Sequence, residues 1–356
     1  MNKLHSTHTQ IRPALRGGLL ALLAAALFGL STPLTQRLGV GLGAFTTAAL
    51  LYAGAALVGL LYLRGSEREA GVRRADLPRL FAMAAFGAAL GPVALAWGLQ
   101  RTSGASASLL LSLEAVFTAV LAWLWYKESM DKRVWLAVLL LVSGGMLLIL
   151  EQGLSGSAQL LGLLAVGIAT VAWGIDNTLS RGVADRDPGQ VVAIKALLGC
   201  SATGLIAWTS GEPLPELWAG LGVLAVGASG YGLSLRLYLL AQRSFGAART
   251  GSVFAFAPFI GAIAAFAFGE RAFSLWFLLA GSLMLLGVWL HLAEDHGHEH
   301  AHDALDHEHA HNHNDGHHTH THEPMPQGEH SHAHNHTPLS HSHAHAPDLH
   351  HQHQHG

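Results

Sequence analysis

Three charged side chains stand inside or beside long stretches of this sequence that otherwise carry no charge. Glu114 is the single charged residue within 102–126, and Lys195 is the single one within 188–211. Asp176 directly follows a third such stretch. Ionisable groups are costly in hydrocarbon, so those found there mark cargo or ion pathways or form pairs with one another.

Glu114 is predicted to lie near the middle of its apolar stretch. A helical rise of 1.5 Å per residue places it about 15 Å from either end. A carboxylate at that depth is a candidate for binding cargo or a coupling proton. The alternative is a structural hydrogen bond to a neighbouring helix.

If the apolar stretches are membrane-spanning helices, Asp176 and Lys195 lie roughly 8 to 10 Å below the same membrane–water interface, on consecutive spans. Because consecutive spans are usually neighbours, we expect an ion pair between them. The favoured interpretation is a structural pair. The alternative is a gate on the cytoplasmic side that breaks and re-forms during transport.

Neutral polar and aromatic residues of other spans complete the candidate pathway. Taken singly, each is more typical of helix packing than of a binding site. The pair Asp176-Asn177 and the pair Ser31-Thr32 occupy equivalent places in the two halves of the chain, which favours a shared role. The neutral candidates are Ser31, Thr32, Trp97, Trp173, Asn177 and Tyr231.

The C-terminal tail is rich in histidine. All but three of the 26 histidines follow Glu294, mostly as His-x-His, in a segment without Lys or Arg. Imidazole is a good ligand for nickel, cobalt, zinc and copper, so the tail is predicted to bind a divalent transition metal. With few large apolar residues it is also expected to be disordered. The candidate metal ligands are His296, His298, His300, His302, His307, His309, His311, His313, His330, His332, His334, His336, His341, His343 and His345.

The elements that must position these residues follow from the distribution of charge. Only 12% of the 356 residues are charged, against about 25% in a soluble protein. Each apolar stretch is long enough to cross a bilayer as a helix. We therefore predict an all-α polytopic membrane protein and exclude soluble enzymes, nucleic-acid binders and disulfide scaffolds. The ten predicted spans are 17–36, 38–63, 80–100, 102–126, 134–150, 152–175, 188–211, 217–235, 250–269 and 272–293.

Loop charge predicts the orientation. Most of the 20 Lys and Arg residues fall in the segments that share a side with the N-terminus. The positive-inside rule therefore predicts that both termini are cytoplasmic, in a plasma or inner membrane. A signal peptide is the alternative interpretation of the first span, but the internal repeat requires that span.

The sequence repeats itself at a spacing of just over 140 residues. The segment 100–105, Gln-Arg-Thr-Ser-Gly-Ala, matches 242–247, Gln-Arg-Ser-Phe-Gly-Ala. Each half holds five predicted spans, and an odd number inverts the second half relative to the first. Inverted repeats are typical of secondary transporters, whose cargo site lies near the midplane between the halves. We predict an N-terminus at 1–16, repeats at 17–150 and 151–294, and a tail at 295–356.

Several motifs carry a family resemblance. A Gly-Ala pair opens the fourth predicted span of each half, and Glu128 and Glu270 close those spans. The segment 112–117, Ser-Leu-Glu-Ala-Val-Phe, resembles EamA-type members of the drug/metabolite transporter superfamily, which usually have Pro where this chain has Ala115. The second half keeps a proline, Pro258.

The resemblance covers about residues 17–292 and implies secondary transport of a small solute, the family's cargoes being amino acids, metabolites and drugs. No Walker loop or hydrolase motif is present, which favours transport driven by a gradient, without an enzyme activity or a cofactor for transport. The expected partners are the lipid bilayer and a small-molecule or metal-ion cargo, with a homodimer as an open alternative.

The tail and the apolar body of the chain point to different cargoes. The tail favours efflux of nickel, cobalt or zinc. The body has no histidine within 9–290 and one cysteine, Cys200, which is a poor ligand set for such metals. Export of an amino acid or metabolite, with the tail as a metal buffer, is the second hypothesis. A membrane-anchored metal sensor or buffer is the third.

Overall fold

Helices make up all the regular structure described between residues 13 and 292. The computed structural model describes residues 13–63, 70–126, 130, 132–183, 186–245, 247–271, 273–292, 297–302, 305–311, 330–336 and 339–344. The α helices are α1 (Pro13–Leu38), α2 (Ala44–Tyr62), α3 (Leu77–Met83), α4 (Gly91–Leu99), α5 (Gly104–Leu110), α6 (Leu113–Tyr126), α7 (Lys132–Ser155), α8 (Ser157–Ser180), α9 (Pro188–Thr209), α10 (Leu217–Val226), α11 (Ser234–Phe245), α12 (Ala247–Phe254), α13 (Ala257–Ala267) and α14 (Leu275–Leu292).

Eight helical stretches of the described chain are long and apolar enough to cross a membrane. They contain 19 to 26 residues each, and about 20 helical residues cross a hydrocarbon core. Two shorter apolar helices, Ala257–Ala267 and Leu275–Leu290, follow them. The all-helical character predicted for the body is therefore present, and eight of the ten predicted spans meet the length criterion.

One of these stretches, Gly104–Trp125, is interrupted near its middle, and so is the helical segment that leads into Ala257–Ala267. The helix ends at Leu110 and restarts at Leu113, and in the second half α12 ends at Phe254 and α13 starts at Ala257. Pro258 lies in the first turn of α13, where its missing N–H breaks no helical hydrogen bond. The break in the first half occurs without a proline. The presence of Ala115, where the family usually has proline, therefore does not make the helix continuous.

Two other stretches contain π-helical turns, at Ala84–Leu90 between α3 and α4 and at Gly227–Leu233 between α10 and α11. In the first, the N–H of Gly91 donates to the carbonyl of Phe86. The next bond of this i to i−5 pattern would join residue 92 to Gly87. Since residue 92 is a proline, it has no N–H to donate, and the Gly87 carbonyl is left without that helical donor.

The helices α7 and α14 pack against each other through reciprocal glycines. A Cβ added to Gly144 would lie 2.6 Å from Cγ of Met284, and one added to Gly287 would lie 2.9 Å from Cγ of Leu141. Only glycine allows this close approach of the two backbones. At the repeat spacing Gly144 corresponds to Gly287 and Leu141 to Met284, so each half makes the same contact on the other.

The first helix of each half packs on the third and fourth spans of the other half. Thus α1 contacts α11, α12 and α13, while α8 contacts α4, α5 and α6. We call α1 with α10–α13 group A, and α8 with α3–α6 group B. The helices α2 and α9, which are equivalent in the two halves, pack together. The halves are therefore interleaved, and the middle of the bundle lies between the two groups.

Four short strands are described in the histidine-rich tail. They are β1 (Gly297–His302), β2 (Leu305–His311), β3 (His330–His336) and β4 (Leu339–Ala344), with β1 antiparallel to β4 and β2 to β3. The His-x-His alternation has a period of two, which is the period of an extended strand.

Candidate functional site

The helix break in group B places Glu114 beside α8, where it is half-buried. Glu114 lies in the first turn of α6, directly after the interruption. The side-chain amide of Asn177, on α8, donates a hydrogen bond of 2.5 Å to the Glu114 carboxylate. Two sequence candidates that are 63 positions apart are therefore in direct contact.

The neighbouring residue on α8 forms an ion pair. The ammonium of Lys195, on α9, contacts Oδ2 of Asp176, and the two residues are only 8% and 4% exposed. Both charges of this pair lie within electrostatic range of Glu114. The formal charges of Asp176 and Lys195 cancel, which leaves Glu114 as the uncompensated negative charge of the cluster.

The carbonyl that Pro92 deprives of a helical donor is bonded from two neighbouring helices instead. The hydroxyl of Tyr52 donates to the Gly87 oxygen at 2.5 Å, and Nε1 of Trp173 donates to the same oxygen at 3.0 Å. A buried carbonyl without a partner would be costly. The π turn therefore holds Tyr52 and Trp173 beside Asp176.

Group A presents aromatic rings to this charged cluster. The ring of Tyr231, on the second π turn, has its centroid 5.9 Å from Phe28, 5.6 Å from Tyr52 and 6.4 Å from Trp173. Tyr231 and Trp173 are both buried. Carboxylate, amide and ammonium groups of α6, α8 and α9 therefore lie beside aromatic rings of α1, α2, α8 and the second π turn.

Gly87→Ala is expected to impair function without unfolding the protein. A Cβ at this position would collide with the Asp176 carboxylate, which must then turn away from Lys195. Transport should fall while the far-UV circular dichroism spectrum stays native. The matched control is Gly167→Ala, since a Cβ at Gly167 meets no atom within 4 Å. Native transport by Gly87→Ala would show that the collision is relieved elsewhere.

The other sequence candidates lie on α1 and α4. Ser31 and Thr32 are buried in α1, and the Ser31 hydroxyl donates to the Phe28 carbonyl at 2.6 Å. Trp97 lies near the end of α4, where the guanidinium of Arg101 stacks 3.7 Å over its ring. The structure therefore brings together Glu114, Asp176, Asn177, Lys195, Trp173 and Tyr231, and places Trp97 at the helix end.

Tyr52, Gly87 and Phe28 also belong to the site but were not among the residues predicted from the sequence. For Gly87 the one available signal was Pro92, five residues later. In a π turn a proline at that spacing leaves the glycine carbonyl without its helical donor. The formation of the π turn could not be read from the sequence. Phe28 matches the candidate Trp173 between the two halves of the sequence, whereas Tyr52 carried no signal beyond its aromatic character.

The described side chains contain no group of three or more His, Cys, Asp or Glu residues placed to hold a metal ion. In the tail, the backbone register sets histidines opposite one another. The candidates His296, His313 and His345, like Glu128, lie outside the described residues. The register pairs are His298 with His343, His300 with His341, His307 with His334, His309 with His332 and His311 with His330.

Comparison with known proteins gives three likenesses. The model of the EamA-like transporter family matches residues 15–150 and again residues 160–293. An uncharacterized transporter of Methanothermobacter thermautotrophicus is 28% identical over 235 residues, which are 64% of this chain and 68% of that protein. A crystal structure superposes with a TM-score of 0.58 at 18% identity, covering 77% of this chain and 95% of the other. At this low sequence identity, the structural match is evidence for the fold and not for the function.

Proposed function

Because the chain belongs to the EamA-like transporter family, it is an integral membrane transporter of small solutes, and we propose that it works by alternating access. In this proposal the ten predicted spans form two inverted five-span repeats. The pathway runs between groups A and B, and Glu114 is its central binding group.

Four independent features support the inverted repeat. The family model matches each half separately. Both fourth spans are broken, and both third spans contain a π turn. The contact of α7 with α14 is reciprocal, as a two-fold relation between halves requires. Broken helices at the midplane are where inverted-repeat transporters bind their cargo.

The charge of the site supports a cargo that carries positive charge. Asp176 and Lys195 neutralise one another, while Glu114 has only the neutral amide of Asn177 as its hydrogen-bond partner among the described side chains. A cation close to Glu114 would compensate its charge, and the facing aromatic rings add cation–π attraction. A proton on Glu114 would neutralise the same carboxylate, so cargo and proton would compete for it.

For the cargo itself we favour a divalent transition metal such as nickel, cobalt or zinc, moved out of the cell. The histidine-rich tail supports this choice, since its strand register sets five pairs of histidines opposite one another. By the positive-inside rule the tail is cytoplasmic, where it would collect the ion. Because Glu114 and Asn177 offer only oxygen ligands, the ion would cross partly hydrated.

An amino acid or a related organic amine is the second candidate cargo. The donor set of the site favours it, since carboxylate, amide and aromatic groups suit an organic ammonium better than zinc or nickel. In this alternative the tail only buffers metal. A membrane-anchored metal sensor or buffer, the third hypothesis, predicts metal binding without flux.

Growth of a metal-sensitive bacterial host expressing the full chain separates these functions. Nickel, cobalt, zinc and copper series are run, and cell-associated metal is counted. Efflux predicts higher tolerance with less cell metal. Higher tolerance with more cell metal would show sequestration by the tail. Unchanged tolerance and unchanged cell metal would exclude metal efflux, and amino-acid export from preloaded cells would then be measured.

Removing residues 295–356 is expected to abolish most nickel binding by the purified protein without changing its helix content. The tail supplies nearly all the imidazoles of the chain, and the helical bundle is formed by other residues. Isothermal titration with nickel chloride measures the stoichiometry. The matched control is the full chain with His5→Ala and His8→Ala, which should bind as before. Undiminished binding by the truncated protein would place the metal site in the body.

A further inference from the structure

One end of the bundle carries hydrogen bonds between groups A and B. We call it the distal end: here α1, α4, α7, α9 and α13 finish and α2, α5, α8, α10 and α14 start. Asn or Gln amides and Glu carboxylates are well suited to such bonds, because the first N–H groups and last carbonyls of helices lack intrahelical partners. Two side chains of group A, Gln36 and Glu270, reach such groups of group B.

Glu270 binds the start of α5. Its Oε2 accepts a hydrogen bond of 3.0 Å from the backbone N–H of Ala105. A carboxylate at a helix N-terminus is favoured by the exposed N–H groups and by the helix dipole. Glu270 follows α13, and its segment is tied to α1 because the guanidinium of Arg37 donates to the carbonyl of Phe268. Glu270 is therefore held with group A.

Gln36, near the end of α1, binds the same place from another side. Its Nε2 donates to the carbonyl of Leu99 at 3.2 Å and to that of Thr102 at 2.9 Å. Gly104 leaves room for both side chains: a Cβ there would collide with Oε1 of Gln36 and lie 3.3 Å from Oε2 of Glu270. The two side chains and the α5 start form one continuous contact.

We propose that Gln36, Glu270 and the start of α5 form a latch that closes the distal side of the transport pathway. This inference rests on the proposed alternating access, because only relative movement of groups A and B would need to break it. On the proposed orientation the distal side faces outward. The latch releases when cargo leaves to the outside and re-forms when the pathway opens to the cytoplasm.

Two other carboxylates at this end, Glu212 and Glu151, connect different helices. Glu212 accepts from the N–H of Thr46 at 2.7 Å and so ties the end of α9 to the start of α2. Glu151, on α7, accepts from the hydroxyl of Ser274, which precedes α14. Both bonds lie within the helix pairs outside groups A and B. They hold the framework, whereas Gln36 and Glu270 join group A to group B.

The test measures how fast a cysteine beneath the latch reacts with a membrane-impermeant maleimide. Ser108 is one turn below Gly104, is 1% exposed, and would contact a Cβ placed on Gly261 of group A at 2.8 Å. The reporter is Ser108→Cys in a full-length chain with Cys200→Ser, which removes the one native cysteine. Labelling needs no cargo, so its outcome is independent of which solute is carried.

Glu270→Ala and Gly104→Ala are each expected to raise the labelling rate about tenfold, the shift that loss of one hydrogen bond can give. In Gly104→Ala the added methyl group displaces the flexible end of Gln36 and so weakens its hydrogen bonds, without removing a polar group. The matched control is Glu216→Ala, an exposed carboxylate of the same bundle end, which should label at the native rate.

Native labelling rates in both latch variants would overturn the proposal. So would an equal increase in the Glu216→Ala control, because it would show general loosening of the bundle. If Glu270→Ala does not fold, as judged by size-exclusion chromatography, Gly104→Ala and Gln36→Ala decide the question. Raised labelling together with absent metal flux would support the latch and count against the proposed cargo.

Discussion

Lys195→Met is expected to destabilise the protein by about 3–5 kcal/mol, the cost of leaving one member of a buried ion pair without its partner. Lys195 and Asp176 are 8% and 4% exposed, so water cannot replace the lost ammonium. Thermal unfolding of the purified protein in detergent should show a clear fall in Tm. Methionine keeps the length and apolar stem of lysine, so the change removes charge rather than volume.

The double variant Lys195→Met with Asp176→Asn is the matched control. It removes both charges, and replacing a whole buried pair by neutral residues of similar size is often nearly neutral for stability. Most of the lost Tm should therefore return. If the double variant is stable yet inactive, the pair acts in transport as well as in folding. If Lys195→Met alone is as stable as the native chain, the pair is not buried in the membrane as described.

Glu114→Gln is expected to reduce transport roughly 10- to 100-fold with an unchanged Tm, the range for loss of one charge-assisted contact. The glutamine oxygen can still accept the hydrogen bond from Asn177, so helix packing is preserved. Only the negative charge and the proton site are removed. Cell-associated nickel and cobalt are measured in the sensitive host, or export of the organic solute if the metal series is negative.

The control for this variant is Glu216→Gln, which removes an exposed carboxylate outside the site. It should transport like the native protein. Full activity of Glu114→Gln would mean that this residue serves only as a structural acceptor for Asn177. The proposal for a cationic cargo would then lose its central group.

The fold class could be predicted because the bilayer imposes simple length and charge rules. Residues without charge for some 20 positions must form helices when they lie in hydrocarbon, since no water is present to satisfy the backbone. The match between 100–105 and 242–247 indicated a repeat because it includes polar residues. Polar identities among apolar helices rarely arise from composition alone. The cargo could not be predicted, because the tail and the body favour different chemistries.

Charge and depth also sufficed to pair Asp176 with Lys195, since both lie one to two turns from the same predicted interface on adjacent spans. They did not suffice for Glu114 and Asn177. That contact depends on how the fourth span breaks at Leu111 and Ser112, and the break occurs here without the proline that would have marked it. The contact of Trp97 with Arg101 likewise depends on side-chain packing at a helix end.

By itself, then, the sequence determined which segments are long and apolar enough to form helices and where the charges lie along them, because these depend on local composition and period. The tertiary structure decided which helices of one half meet those of the other. That interleaving depends on close backbone approach at Gly144 and Gly287 and on the carbonyl freed by Pro92. Such contacts join residues far apart in the chain, and no local pattern encodes them.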